Sequence, residues 1–227
     1  MRWYLRHWYD VGIAVCILAL ACGVLIELNT LQRILLLSFA VLMLHEFEEY
    51  GWPGGLPTFM NEVVRASRTP DRYPLNQMNS MVVNVLAAYP FYLLPVLFPD
   101  VIWLALAPVL FNFLEVLLHC GGGFGKARAL YSPGLLSVVP WLVLSIWYLI
   151  EVNQQNLITA NDWWIGIGYL FAWLIVFLGL VTYVWLADKN SPYRFASEEL
   201  TRFERYRRFV HAAHQHPQPA PTTGPTL

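Results

Sequence analysis

Residues 45–49 read His-Glu-Phe-Glu-Glu, and residues 112–119 read Asn-Phe-Leu-Glu-Val-Leu-Leu-His. On a helix, side chains three and four apart share a face, so His45, Glu48 and Glu49 project together, while Glu46 turns away by about 100° toward the interface. By the same rule Asn112, Glu115 and His119 fall on one stripe. Two imidazoles and three inward carboxylates make a donor set suited to iron, manganese or zinc, whereas magnesium and calcium want an all-oxygen shell. Carboxylates crowded in a low dielectric need protons or a counter-charge. His45 and His119 are the histidines inside apolar segments, each with a glutamate at helical spacing, and that coincidence points to a metal. The expected ligands are His45, Glu48, Glu49, Glu115 and His119, for one ion or two. For a single zinc, both histidines and one glutamate would bind, leaving a water position and a second glutamate as base. Glu49 is expected as that ligand or base, Asn112 and Asn79 as groups that orient substrate or water, and Tyr131 as a hydroxyl donor.

The elements that must position these groups are membrane helices. Of the 227 residues 57% are hydrophobic and 13% charged, richer in apolar and poorer in charged groups than a water-soluble domain. Long apolar stretches at 11–28, 31–50, 76–98, 100–120, 133–151 and 163–187 approach or exceed the ~20 residues that span a hydrocarbon core. The expected fold is therefore all-α, a polytopic bundle of six transmembrane helices. Among the 14 basic residues Arg33 alone falls in the odd-numbered connections, so the positive-inside rule predicts both termini in the cytoplasm. The first apolar stretch is too long for a signal-peptide core and lacks a small-residue cleavage site. Three unpaired cysteines suggest neither a disulfide framework nor a zinc ribbon.

With alternating direction, the ends of the second and fourth spans lie at one depth on the cytoplasmic face. The third span enters there with Asn76 and Asn79, and the fifth starts there with Tyr131-Ser132-Pro133-Gly134, where Ser132 is expected to cap and Pro133 to occupy the first helical position. The connecting segment 120–128, Cys-Gly-Gly-Gly-Phe-Gly-Lys-Ala-Arg, lacks the spacing of a nucleotide-binding loop. Gly121, Gly122, Lys126 and Arg128 remain a candidate receptor for an anionic head group. The chain divides into a membrane domain over 1–190, a basic amphipathic surface helix over 191–213 that would lie on anionic lipid head groups, and a Pro-rich tail over 214–227 expected to be disordered. No feature suggests nucleic-acid binding.

Taken in order, "HEFEEYGWPGG", "NFLEVLLHCGGG" and "YSPGL", over about residues 45–135, resemble the HXXEE family of small bacterial integral membrane proteins. That resemblance implies that His45, Glu48, Glu49, Asn112, His119 and the YSPG turn are defining residues, and that the chain resides in a bacterial inner membrane; it carries no assigned activity. In chemistry alone the set is similar to CAAX-processing membrane proteases, with paired glutamates, two histidines and an asparagine, but the order of motifs differs and the expected Arg after Glu48-Glu49 is missing. The reading is a membrane-embedded metal-dependent enzyme at the cytoplasmic face, hydrolytic rather than oxidative, acting on a lipid or amphipathic substrate. The alternatives are a proton or divalent-cation transporter, and a metal-free Glu/His hydrolase in which Asn112 stabilises an oxyanion.

Overall fold

A computed structural model describes residues 3–124 and 131–205. These residues form helices α1 (Tyr4–Leu25), α2 (Thr30–Gly51), α4 (Gln77–Leu97), α5 (Ile102–Phe124), α6 (Val138–Gln154) and α7 (Ala160–Trp185). Two short pieces lie at one end of the bundle: α3, which begins at Leu56–Thr58 and continues as a π-helix over Phe59–Val64, and α8 (Ser197–Thr201). No strand occurs among the described residues. Five helices, α1, α2, α4, α5 and α7, are long and apolar enough to cross a membrane, while α6 is a shorter apolar helix of 17 residues.

The helices start where the sequence supplies caps. Asn29 accepts from the amide of Gln32 at 2.8 Å while Gln32 returns a bond to Asn29, and Thr159 pairs with Asp162 in the same way. Between these ends the apolar faces sort by neighbour. Central α2 packs on α1, α4 and α6, and its Ile34, Phe39, Ala40 and Met43 are buried. The outward faces of α1 and α7 carry Ile17, Leu18, Val24, Phe171, Ile175 and Val184, all exposed. Exposed apolar residues in such number suit hydrocarbon rather than water.

The first and last described helices meet at the same end: the Arg202 guanidinium donates to the Tyr9 hydroxyl at 2.9 Å and to the Tyr50 carbonyl. That end, called here the site end, collects 3–9, 45–77, 119–124, 131–137 and 186–205. α3 and α8 cross it, joined by a bond from Thr58 Oγ1 to the Leu200 carbonyl (2.9 Å) and by Phe203 against Phe59.

The expected start of the fifth span is corrected. Residues 131–137 form a turn and α6 begins only at Val138. Gly134 at φ +95° lies outside helical space, and Ser132 places its hydroxyl on His119 instead of capping. Residues 206–227, with Arg207, Arg208 and the Pro-rich tail, lie outside the described residues, as do Lys126 and Arg128.

Candidate metal centre

α2 does not end as an α-helix. Its last turn, Phe47–Gly51, is a π-turn, closed by a bond from the Trp52 amide to the Phe47 carbonyl (2.8 Å). Widening the turn to five residues rotates the two glutamates that follow Phe47 relative to His45. Glu49 then faces the histidines, and Glu48 faces the turn that precedes α6.

His45 Nε2 lies 3.4 Å from Glu49 Oε1, and His119 Nε2 lies 3.6 Å from the same oxygen. The two rings stand nearly perpendicular with centroids 5.0 Å apart. All three residues are buried and their ligand atoms lie within 4.8 Å of one another, a group that could hold a metal ion. Ligand atoms about 2.0–2.2 Å from a tetrahedral zinc stand roughly 3.3–3.6 Å apart, a range that holds the first two separations. Glu115 Oε2 lies 3.2 Å from His119 Nε2, on the flank of the trio.

The other ring nitrogens fix which lone pairs face inward. Ser137 Oγ donates to Glu48 Oε2 at 2.5 Å, so His45 Nδ1, 2.9 Å from that hydroxyl, is assigned the proton and donates to it. Ser132 Oγ donates to the His119 carbonyl and receives His119 Nδ1–H at 3.3 Å by the same logic. Both Nε2 atoms are thereby left as acceptors aimed at one point. This is the outer-shell arrangement that orients metal-binding histidines. It also argues against either serine as a nucleophile, because each hydroxyl proton is directed away from the imidazole.

Close approach of the rings depends on Gly134. A Cβ there would stand 2.6 Å from Cε1 of His45 and 2.6 Å from Cε1 of His119, and φ is +95°. Trp141, fully buried, lies against the far side of the His45 ring at 4.6 Å.

Glu48, expected as a ligand, spends both oxygens elsewhere. Oε1 accepts from Tyr131 Oη (2.8 Å) and the Leu136 amide (3.0 Å), and Oε2 from the amide and hydroxyl of Ser137. A carboxylate thus satisfies the unpaired amides at the start of α6, which also present the positive end of its dipole. Tyr131 is held to Glu48 and not to Glu49. Asn112, also expected at the reacting centre, is a buried hub about two turns deeper than the histidines: it donates to Ser38 Oγ (3.2 Å) and Ser145 Oγ (3.0 Å) and accepts from Tyr92 Oη (2.5 Å), tying together α2, α4, α5 and α6. Asn79 donates to the carbonyls of Pro74 and Thr182 and accepts from the Asn76 amide. Both asparagines have their amide hydrogens engaged, leaving none to orient a substrate.

Glu46, expected to turn to the interface, is fully buried, with Oε2 3.3 Å from Tyr89 Oη and Oε1 without a hydrogen-bond partner among the described residues. Gly121 and Gly122 lie in the last turns of α5, where carbonyls rather than amides point outward and the dipole disfavours anions. Sequence reasoning overlooked Ser137 and read Trp141 as a packing or lipid-anchoring residue without its contact to His45. Their signal was weak, since each sits in an apolar stretch and Ser137, the nearer in sequence, reaches His45 across 92 residues.

Residues 36–148 match the family described as a protein of unknown function with HXXEE motif. The chain belongs to the HXXEE family. Neither the comparison with curated proteins nor that with solved structures gave a match. The motif's histidine and final glutamate are His45 and Glu49, two members of the buried trio; its first glutamate is Glu48, the anchor of the turn. The HXXEE match takes in α4 and α5 and most of α2 and α6, whereas α1 and α7 lie outside it.

Proposed function

We propose that this HXXEE protein is a membrane-embedded metal-dependent hydrolase, with His45, His119 and Glu49 as ligands of a single zinc and Glu115 as general base. The observation that carries this reading is the convergence of two buried Nε2 atoms and one carboxylate oxygen at 3.4 and 3.6 Å, with both Nδ1 atoms held by serines. Two histidines and a glutamate leave a zinc with an open position, and a metal there would supply Lewis acidity and a more acidic water. Iron or manganese would fit the same donors; a pair of ions is disfavoured because Glu48 is committed to the α6 turn. In the reaction a water oxygen bonds to the substrate's acyl carbon and its proton passes to Glu115. Glu115 returns that proton to the leaving oxygen or nitrogen as the acyl bond breaks.

In this proposal α6 completes a set of six spans, extended at the site end by the turn 131–137. The distribution of arginine and lysine sets the site end, with both termini, in the cytoplasm, in a bacterial inner membrane. The substrate is then amphipathic and comes from the inner leaflet, and the basic tail rests on anionic head groups. A transporter would need polar groups continuing to the opposite end. Beyond the Asn112 hub the interior is instead Ile34, Leu106, Val109 and other buried apolar residues.

The test is the metal content of detergent-purified protein by elemental mass spectrometry. A single equivalent is expected in the wild type and in Glu48→Gln, and none in His45→Ala or Glu49→Gln. Stoichiometry near zero after reconstitution with zinc, iron and manganese would overturn the proposal, as would metal retained in Glu49→Gln.

A further inference from the structure

α7 changes partner along its length. Its first part, Ala160–Trp173, packs closely on α5: a Cβ on Gly166 would stand 2.9 Å from Leu106 Cβ and 3.0 Å from the Trp103 carbonyl. This contact ends in an aromatic cluster, with Trp173 5.4 Å from Phe111 of α5 and 4.7 Å from Phe91 of α4. Beyond it, Leu174–Trp185 is π-helical and packs on α4 rather than α5, its Thr182 carbonyl held by Asn79. α5 continues toward α6 and delivers Glu115 and His119. The two helices therefore part at the level of the His/Glu centre.

A cavity of about 300 Å3 fills the gap they leave. His45, Glu49, Glu115 and His119 form one wall; the rest is largely apolar, with Val83, Phe111, Trp173 and Leu178, and includes the polar Asn84 and Thr182. α3 roofs it with Phe59 and Met60. Leu118, at 51% exposure, lines the cavity and also faces outward, so the mouth opens on the flank of the bundle. No lysine or arginine lines it among the described residues. A pocket without a cation is poorly suited to a phosphate, whereas an apolar tube meeting a His/Glu centre suits a hydrocarbon chain ending in a neutral carbonyl.

We infer that the gap between α5 and α7 admits the acyl chain of a membrane lipid sideways from the bilayer, and that the substrate is a neutral acyl ester or amide whose carbonyl stops at the His/Glu centre while its chain lies along Val83 and Leu178 toward the Phe111–Trp173 pair. The choice of a carbonyl rests on the hydrolase reading; occupancy by the chain does not. Hydrolysis would consume one water and release a carboxylic acid and an alcohol or amine.

Two measurements separate the parts. First, a nitroxide-labelled stearic acid is added to delipidated, metal-free protein in amphipol, and the immobilised fraction is read by electron paramagnetic resonance. Wild type is expected to immobilise the label, and Leu178→Trp and Leu118→Trp, which fill the cavity and its mouth without replacing a proposed ligand, are expected to lose most of that component. Second, zinc-reconstituted protein is given p-nitrophenyl esters of increasing chain length; kcat/KM is expected to rise from acetyl to decanoyl in wild type and to lose that rise in Leu178→Trp, with zinc content unchanged. An absent immobilised component in the wild type, or one undiminished in both variants, overturns the acyl-chain site. Immobilisation lost in the variants, together with no zinc binding in any form, supports the chain site and overturns the hydrolase reading alone.

Discussion

A methyl group on Gly134 would press on Cε1 of both imidazoles at once, from a backbone at φ +95°. The left-handed conformation alone costs a non-glycine residue about 1–2 kcal/mol, and relieving the contacts requires the two rings to move apart. Gly134→Ala is therefore expected to lower zinc affinity by at least about tenfold, the order of effect of disturbed outer-shell partners, as measured by competition with a chromogenic chelator. Unchanged affinity would mean that the rings need not approach. The histidines and the acidic residues were legible in the sequence because ionisable groups within apolar segments are costly and conspicuous. The division of labour between Glu48 and Glu49 was not, because helical spacing assumes 3.6 residues per turn and α2 ends in a π-turn. Asn112 and Asn79 were equally conspicuous, yet an asparagine that cross-links helices and one that orients a substrate look alike in a sequence.

Among the elements, hydropathy recovered the long helices to within a few residues at most ends, but α1 starts at Tyr4, ahead of the expected residue 11, because Arg6, His7 and Asp10 in its first turns interrupt the apolar run. It misplaced the start of α6, where Ser132 and Pro133 mimic a helix entrance while the amides of Leu136 and Ser137 are instead claimed by a carboxylate 88 and 89 residues away. The short α8 carries a pH dependence of its own. Burial pushes the Glu199 carboxyl above its ordinary value, against the opposing bonds from the Ala196 amide and Gln77. A raised folded-state value means that the folded protein holds the proton more tightly than the unfolded chain. Its stabilising contribution is full below the unfolded value of about 4.3 and is lost as pH rises through the folded one. Glu199→Gln keeps an oxygen for both bonds, which converge on Oε2. Thermal unfolding midpoints between about pH 4 and 7 are expected to fall less steeply in this variant than in wild type; parallel slopes would exclude Glu199 as the source.

At the scale of the whole molecule, the buried glutamates and histidines of the described residues gather at one end of the bundle. If the positive-inside rule holds, a membrane-impermeant maleimide applied to intact cells should label Gln154→Cys and not Glu198→Cys in a cysteine-free background. The reverse pattern would turn the His/Glu centre to the outside. Residues 36–148 contain every proposed ligand and both serines behind them, whereas Trp173, Leu178, Thr182 and Tyr183, on the opposite wall of the cavity, belong to α7. α7 is docked at the site end by Asn76 and Asn79, whose amides bond the carbonyls of Leu186 and Thr182. Those bonds reach only main chain and are indifferent to the side chains at 182 and 186. The molecule is thus modular in an engineer's sense: residues 174–185 can be rewritten to widen, narrow or close the chamber, changing which molecules are accepted without altering a single atom of the machinery that would act on them.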